Sequence, residues 1–128
     1  MDDTFREMLK NMEPGLERAI LRVLEKHMGS GKAIKKNALL RSVGMLGFHP
    51  DERVLRAAIQ VLRDEGHLIC AIASADGGYY LAESAQEVDE FFNREFRSKI
   101  ASMSHTMAAM ERTAKERFGD GIQIGLGF

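Results

Sequence analysis

The sequence has one cysteine, two prolines and a net charge of only −1, and each scarcity narrows what the chain can be. With Cys70 alone no internal disulfide can form, and a reducing, cytoplasmic setting is the expectation. No apolar run approaches the roughly 20 residues that a helix needs to cross a bilayer, so no membrane partner is expected. The start, MDDTFREMLK, lacks the basic-then-apolar order of a secretory signal. The histidines at 27, 49, 67 and 105 are scattered, with no pair at metal-ligand spacing and no second cysteine nearby. Cys70 itself lies in an apolar stretch and reads as core, and Gly119-Asp120-Gly121 is too short for a phosphate loop. Neither an enzyme nor a metal or cofactor site is expected.

What is present is an ordinary globular composition, 45% hydrophobic and 29% charged, in a chain long enough for one domain and an appendage. The near-zero charge hides an uneven distribution. Residues 14–82 hold ten Lys and Arg against seven Asp and Glu, a net +3, and both flanks are acidic. That excess permits a polyanionic partner without demanding one.

Periodicity divides the chain into four parts. Residues 1–13 carry Phe5, Met8, Leu9 and Met12 at helical spacing, a short amphipathic helix. In residues 14–82, Pro14 suits the first turn of a helix whose stripe is Leu16, Ile20, Val23, Leu24 and His27/Met28, ended by Gly29-Ser30-Gly31. Residues 35–45 read as a second helix with Ala38, Leu39, Val43 and Leu46 inward. Pro50 opens a third, with Asp51 and Glu52 in its first turn and Leu55, Ala58, Ile59 and Leu62 inward as far as Gly66. The period then shortens: residues 67–73 and Tyr79-Tyr80-Leu81, joined through Asp76-Gly77-Gly78, predict a β-hairpin.

Residues 83–118 follow, opened by a Ser84-x-x-Glu87 capping box and free of helix breakers until Gly119. Phe96, Ile100, Met103, Met107, Met110 and Ala114 step by 4, 3, 4, 3, 4, a heptad-like seam that predicts a coiled coil or bundle. With Phe92 these residues are the expected homodimer contacts, since a domain of this size cannot cover so long a stripe alone. Methionine repacks easily, so the seam leaves oligomer order open. The glycine-rich tail, 119–128, has no pattern and is expected to be mobile. The fold class is therefore mainly α with a small β-hairpin and a long C-terminal helix; three helices followed by one hairpin is the winged helix-turn-helix order.

The pattern Arg53-x-x-Arg56-x-x-Ile59-x-x-Leu62-Arg63-x-x-Gly66, then Ile69-Cys70, then Gly78-Tyr79-Tyr80-Leu81-Ala82, resembles the recognition helix and wing of biotin-repressor-type winged-helix regulators. It resembles still more the small winged-helix proteins of phages and prophages, which often continue into a helix of the kind seen from Ala82 to Phe91. The resemblance covers about half the chain and implies binding of double-stranded DNA and transcription regulation.

On such a frame the third helix enters the major groove. Arg53, Arg56, Gln60 and Arg63, at i, i+3, i+7 and i+10, share the side opposite the apolar stripe. Arginine can bond guanine O6 and N7, and glutamine adenine N6 and N7. Lys35, Lys36 and Asn37, with the hairpin-tip residues Ser74 and Gly77, are candidate phosphate contacts. Asp51, Glu52, Asp64 and Glu65 oppose that reading by repelling phosphate. The alternative is a protein-interaction module, with the helical domain as platform and the long helix for assembly.

Overall fold

The computed structural model describes residues 13–73 and 77–119; the helix expected before residue 13, the hairpin-tip residues Ser74 and Asp76 and the tail beyond Gly119 lie outside the described residues. The chain is mainly helical, with a small two-stranded antiparallel hairpin and a long C-terminal helix. It divides into two compact units between Asp89 and Glu90.

In the first unit, helix α1 (Leu16–Leu24) buries Leu16, Ala19, Ile20 and Leu24, one face at helical spacing. Pro14 stands in the turn before this helix, not in its first turn. Gly15 takes φ 90 there, a left-handed conformation that glycine adopts without a Cβ clash, and its carbonyl accepts the Ala19 N–H at 3.0 Å. The helix is shorter than its stripe suggested. It ends at Glu25, and His27 and Met28 leave the helix to lie beside the hairpin. The turn that redirects them is made by Gly29 (φ 87), followed by one 3-10 turn, Ser30–Lys32.

Helix α2 (Lys36–Met45) buries Leu39 and Val43. Leu46, expected on the inner face, is 41% exposed. The chain reverses at Gly47 (φ 94) and returns Phe48 to the core in its place, with the Phe48 N–H bonded to the Val43 carbonyl at 3.0 Å. Helix α3 (Glu52–Asp64) is capped by Asp51, whose Oδ1 accepts the Val54 N–H at 2.8 Å, an interaction commonly worth about 1 kcal/mol. Its buried face is Leu55, Ala57, Ala58, Ile59 and Leu62.

Strands β1 (Ile69–Ala71) and β2 (Tyr79–Leu81) pair antiparallel with Cys70 opposite Tyr80. The free edge of β2 does not stay free. Ile34 and Tyr79 exchange both backbone hydrogen bonds at 2.9 Å, the Gly29 N–H donates to the Leu81 carbonyl at 2.8 Å, and the Leu81 N–H donates to that of His27 at 3.0 Å. Residues 27–34 thus form an irregular third edge, which explains why α1 stops early: backbone groups that a longer helix would consume are bonded to β2. The core lies between the three helices and the hairpin, from Leu16, Ile20 and Leu24 through Leu39, Val43, Leu55, Ile59 and Leu62 to Ile69. Cys70, expected as core, is buried.

Helix α4 (Ala85–Phe92) begins with half of the expected capping box, the return bond of Glu87 going to the residue before Ser84. Ser84 Oγ accepts the Glu87 N–H at 3.2 Å, while Glu87 Oε1 accepts the Glu83 N–H at 2.9 Å. The second oxygen of Glu87 accepts the Ser30 N–H at 2.8 Å, tying the start of α4 to the 3-10 turn. These backbone donors, Glu83 first and then Ser30, hold the Glu87 carboxyl below the usual carboxylate range.

The single long helix expected over 83–118 is interrupted by one wide turn of π type, Asn93–Arg97, before α5 (Ser98–Phe118). Phe92 (φ −60, ψ −44) and Ser98 (φ −66, ψ −37) keep helical dihedrals on either side, so the interruption is a change of winding, not a break. In this second unit Phe91 is buried. Phe96 meets it edge-on with ring centroids 5.4 Å apart, and the Arg94 guanidinium stands 5.9 Å from its centroid.

Candidate functional site

The apolar stripe of α3 faces the core, and this fixes where the polar residues of the same helix point. Arg53, Arg56 and Gln60 are exposed on one side, as the spacing predicted. Their environments differ. Arg53 has no hydrogen-bond or ion-pair partner among the described residues. Arg56 is bonded to Glu52 one turn earlier, and Gln60 Nε2 donates to Asp64 Oδ1 at 2.9 Å. Arg63 is half-buried, and its Nε donates to the Ile69 carbonyl at 2.8 Å, joining the end of α3 to β1. The structure therefore gives Arg63 a scaffold contact, and Arg53, Arg56 and Gln60 form the outward row.

Glu52 is the hinge of the charge arrangement. It bonds Arg56 on its own helix and Lys36 Nζ, at 3.1 Å, from the first turn of α2. The Lys36 hydrogen bond, followed by the charges of Lys36 and Arg56, holds its carboxyl below the usual range. Because the folded-state pKa is depressed, the stabilisation that Glu52 contributes is present above the ordinary carboxylate pKa and is lost as pH falls through the folded value. Thermal melts of wild type and Glu52→Gln should differ slightly at neutral pH and converge in acid; a gap that persists in acid would contradict this origin.

Lys35 and Asn37 are exposed at the start of α2, which has no side-chain cap and no acidic residue in its first turn. Beside them lies an open depression of about 510 Å³ lined by His27, Ala33, Ile34, Lys35, Asn37, Ala38 and Arg41. Its lining has cationic side chains and no carboxylate. His27 Nδ1 is 2.7 Å from the Lys32 carbonyl, so the ring donates from that nitrogen. Arg41 and His27 were not singled out from the sequence. Arg41 stands four residues after Asn37, which places both on one helical face, whereas His27 reaches the depression only because α1 ends early. Gly77 has φ 63 at the hairpin tip, and Ser74 lies outside the described residues.

The seam of the second unit is solvent-facing. Phe92, Phe96, Ile100, Met103, Met107 and Met110 are exposed, from 37% at Met107 to 71% at Met103. Among the described residues no cluster of His, Cys, Asp or Glu is arranged to hold a metal ion, and no helix is long and apolar enough to cross a membrane.

No protein-family model matches the chain, and comparison with curated proteins and with solved structures likewise gives no match. Function must therefore be argued from these side chains alone.

Proposed function

We propose that residues 14–82 are a winged helix-turn-helix that binds duplex DNA, with α3 in the major groove and the hairpin as wing. The chain would act as a dimeric transcription regulator or phage accessory factor. The observation that carries this reading is the outward row Arg53, Arg56 and Gln60 on the second helix of the α2–α3 pair. Its side-chain chemistry suits base edges and phosphates. Two further features support it. Residues 27–34 add a third edge to the hairpin, giving the wing a fixed base. The Lys35, Asn37 and Arg41 group lies at and after the start of α2, where phosphate contacts would hold the module in register.

Glu52 favours the second reading, a protein-docking module, because it occupies Lys36 and Arg56 with an internal carboxylate. The two readings predict opposite effects of Glu52→Gln. For a DNA-binding face, removing the carboxylate releases both cations and should raise duplex affinity about five-fold. No gain would favour the docking module.

The direct test is fluorescence anisotropy with mixed-sequence duplex over a range of salt concentrations. About four phosphate contacts per module give a slope near −3.6 in log K against log salt, from counterion release. Absence of binding at low salt would end the DNA reading.

A further inference from the structure

We propose that α5 pairs with α5 of a second copy of this chain in the antiparallel sense, about a two-fold axis near His105. The proposal rests on the dimer reading above and adds its orientation. In heptad terms Ile100, Met107 and Ala114 of α5 occupy a and Met103, Met110 and Arg117 occupy d, and Phe96, one wide turn before Ile100, extends the row. Most of this seam is exposed and apolar.

The residues on and beside the seam distinguish the two possible orientations. A parallel pair stacks each core residue on its own copy. Phe96 would then meet the partner's Phe96 at one layer and Ala114 the partner's Ala114 at another, too wide and too narrow for helices at constant separation. Arg117 would face the partner's Arg117, two like charges in the seam. Arg97 and Glu111, both at e, would have no charged group opposite them.

The antiparallel pair removes each of these conflicts. With Met103 against the partner's Met107, the layers become Ile100 with the partner's Met110 and Phe96 with the partner's Ala114, the largest core residue against the smallest. Arg117 no longer faces its own copy. The flanking positions bring Arg97, whose guanidinium also bonds Asn93 of its own chain, to the partner's Glu111, and two-fold symmetry makes that ion pair twice. Ser104 meets its own copy beside the axis.

Orientation is readable as a distance. Lys115 is exposed and remote from the seam, and Cys70 is only 2% exposed, so Lys115→Cys in the full chain takes a nitroxide selectively. In the antiparallel dimer the two labelled positions are separated by about 30 Å along the helices. In a parallel dimer they lie side by side on axes about 8–10 Å apart. Sedimentation of the same samples reports whether a dimer exists.

A charge swap tests the register. Arg97→Glu and Glu111→Arg should each weaken the dimer about ten-fold, and the double variant should restore it. Residues 97 and 111 of one chain are about 21 Å apart along the helix, so rescue cannot arise within a chain. A dimer with the long distance and rescue supports the proposal. A dimer with the short distance overturns the orientation and leaves the dimer reading standing. The long distance without rescue overturns the register, and a monomer at every concentration overturns both readings.

Discussion

Arg53→Glu should weaken duplex binding about 100-fold, corresponding to about 2.7 kcal/mol, while leaving the fold intact. The size follows from losing one cationic contact to a phosphate or guanine and adding a repulsive charge in its place. The intact fold follows from position. Arg53 is exposed in the first turn of α3 and has no partner among the described residues, so nothing internal is lost. A carboxylate in that turn is favoured by the helix dipole. Lost binding in this variant therefore cannot be attributed to unfolding, provided the thermal melt is unchanged or slightly raised. The same substitution at Arg63 would be a poor probe, because that guanidinium bonds the Ile69 carbonyl and its removal disturbs the joint between α3 and β1. Binding that survives Arg53→Glu at low salt would remove α3 from the proposed interface.

The largest expected effect on stability is at Leu55. Its side chain is fully buried and lies in the cluster that joins α1, α2, α3 and β1. Leu55→Ala removes apolar contacts and leaves a cavity among elements that cannot all move in, a change that costs about 3–5 kcal/mol. For a domain of this size each kcal/mol lowers the midpoint by about 4–8 °C, so the variant should melt at least about 12 °C below wild type. Met103→Ala, at an exposed seam position, should by contrast leave the melt of the first unit nearly unchanged. Circular dichroism melts of the two variants decide the matter; similar midpoints would mean that Leu55 is not enclosed as described.

Much of the first unit was legible in the sequence because burial imposes periodicity. The Leu55, Ala58, Ile59 and Leu62 stripe fixed the orientation of α3, and with it the outward position of Arg53, Arg56 and Gln60. Turn chemistry came close: Pro50 and Asp51 announce α3, although the helix itself begins at Glu52 with Asp51 as its cap, and the glycines at 77 and 78 lie in the hairpin connection. What stayed hidden depended on partners distant in sequence. Nothing near residue 27 says that His27 and Gly29 bond Leu81, so the apolar stripe alone makes α1 too long. Leu46 and Phe48 are both apolar and two residues apart, and only the reversal at Gly47 determines that Phe48 is the one turned inward. The Ile69 carbonyl that holds Arg63, and Lys36 meeting Glu52 sixteen residues away, belong to the same class. The π turn at Asn93–Arg97 is invisible to a pattern search, since it changes the winding without introducing proline or glycine.

On the proposed reading, α3 and the start of α2 form a surface for duplex DNA. The most direct measurement is a backbone-amide NMR titration of the ¹⁵N-labelled full chain with a short mixed-sequence duplex at low salt. The predicted result is a set of shifts concentrated at residues 51–60 and 35–41 that retreats as salt is added. Shifts confined to α1 or α5, or none at all with duplex in excess, would contradict the account.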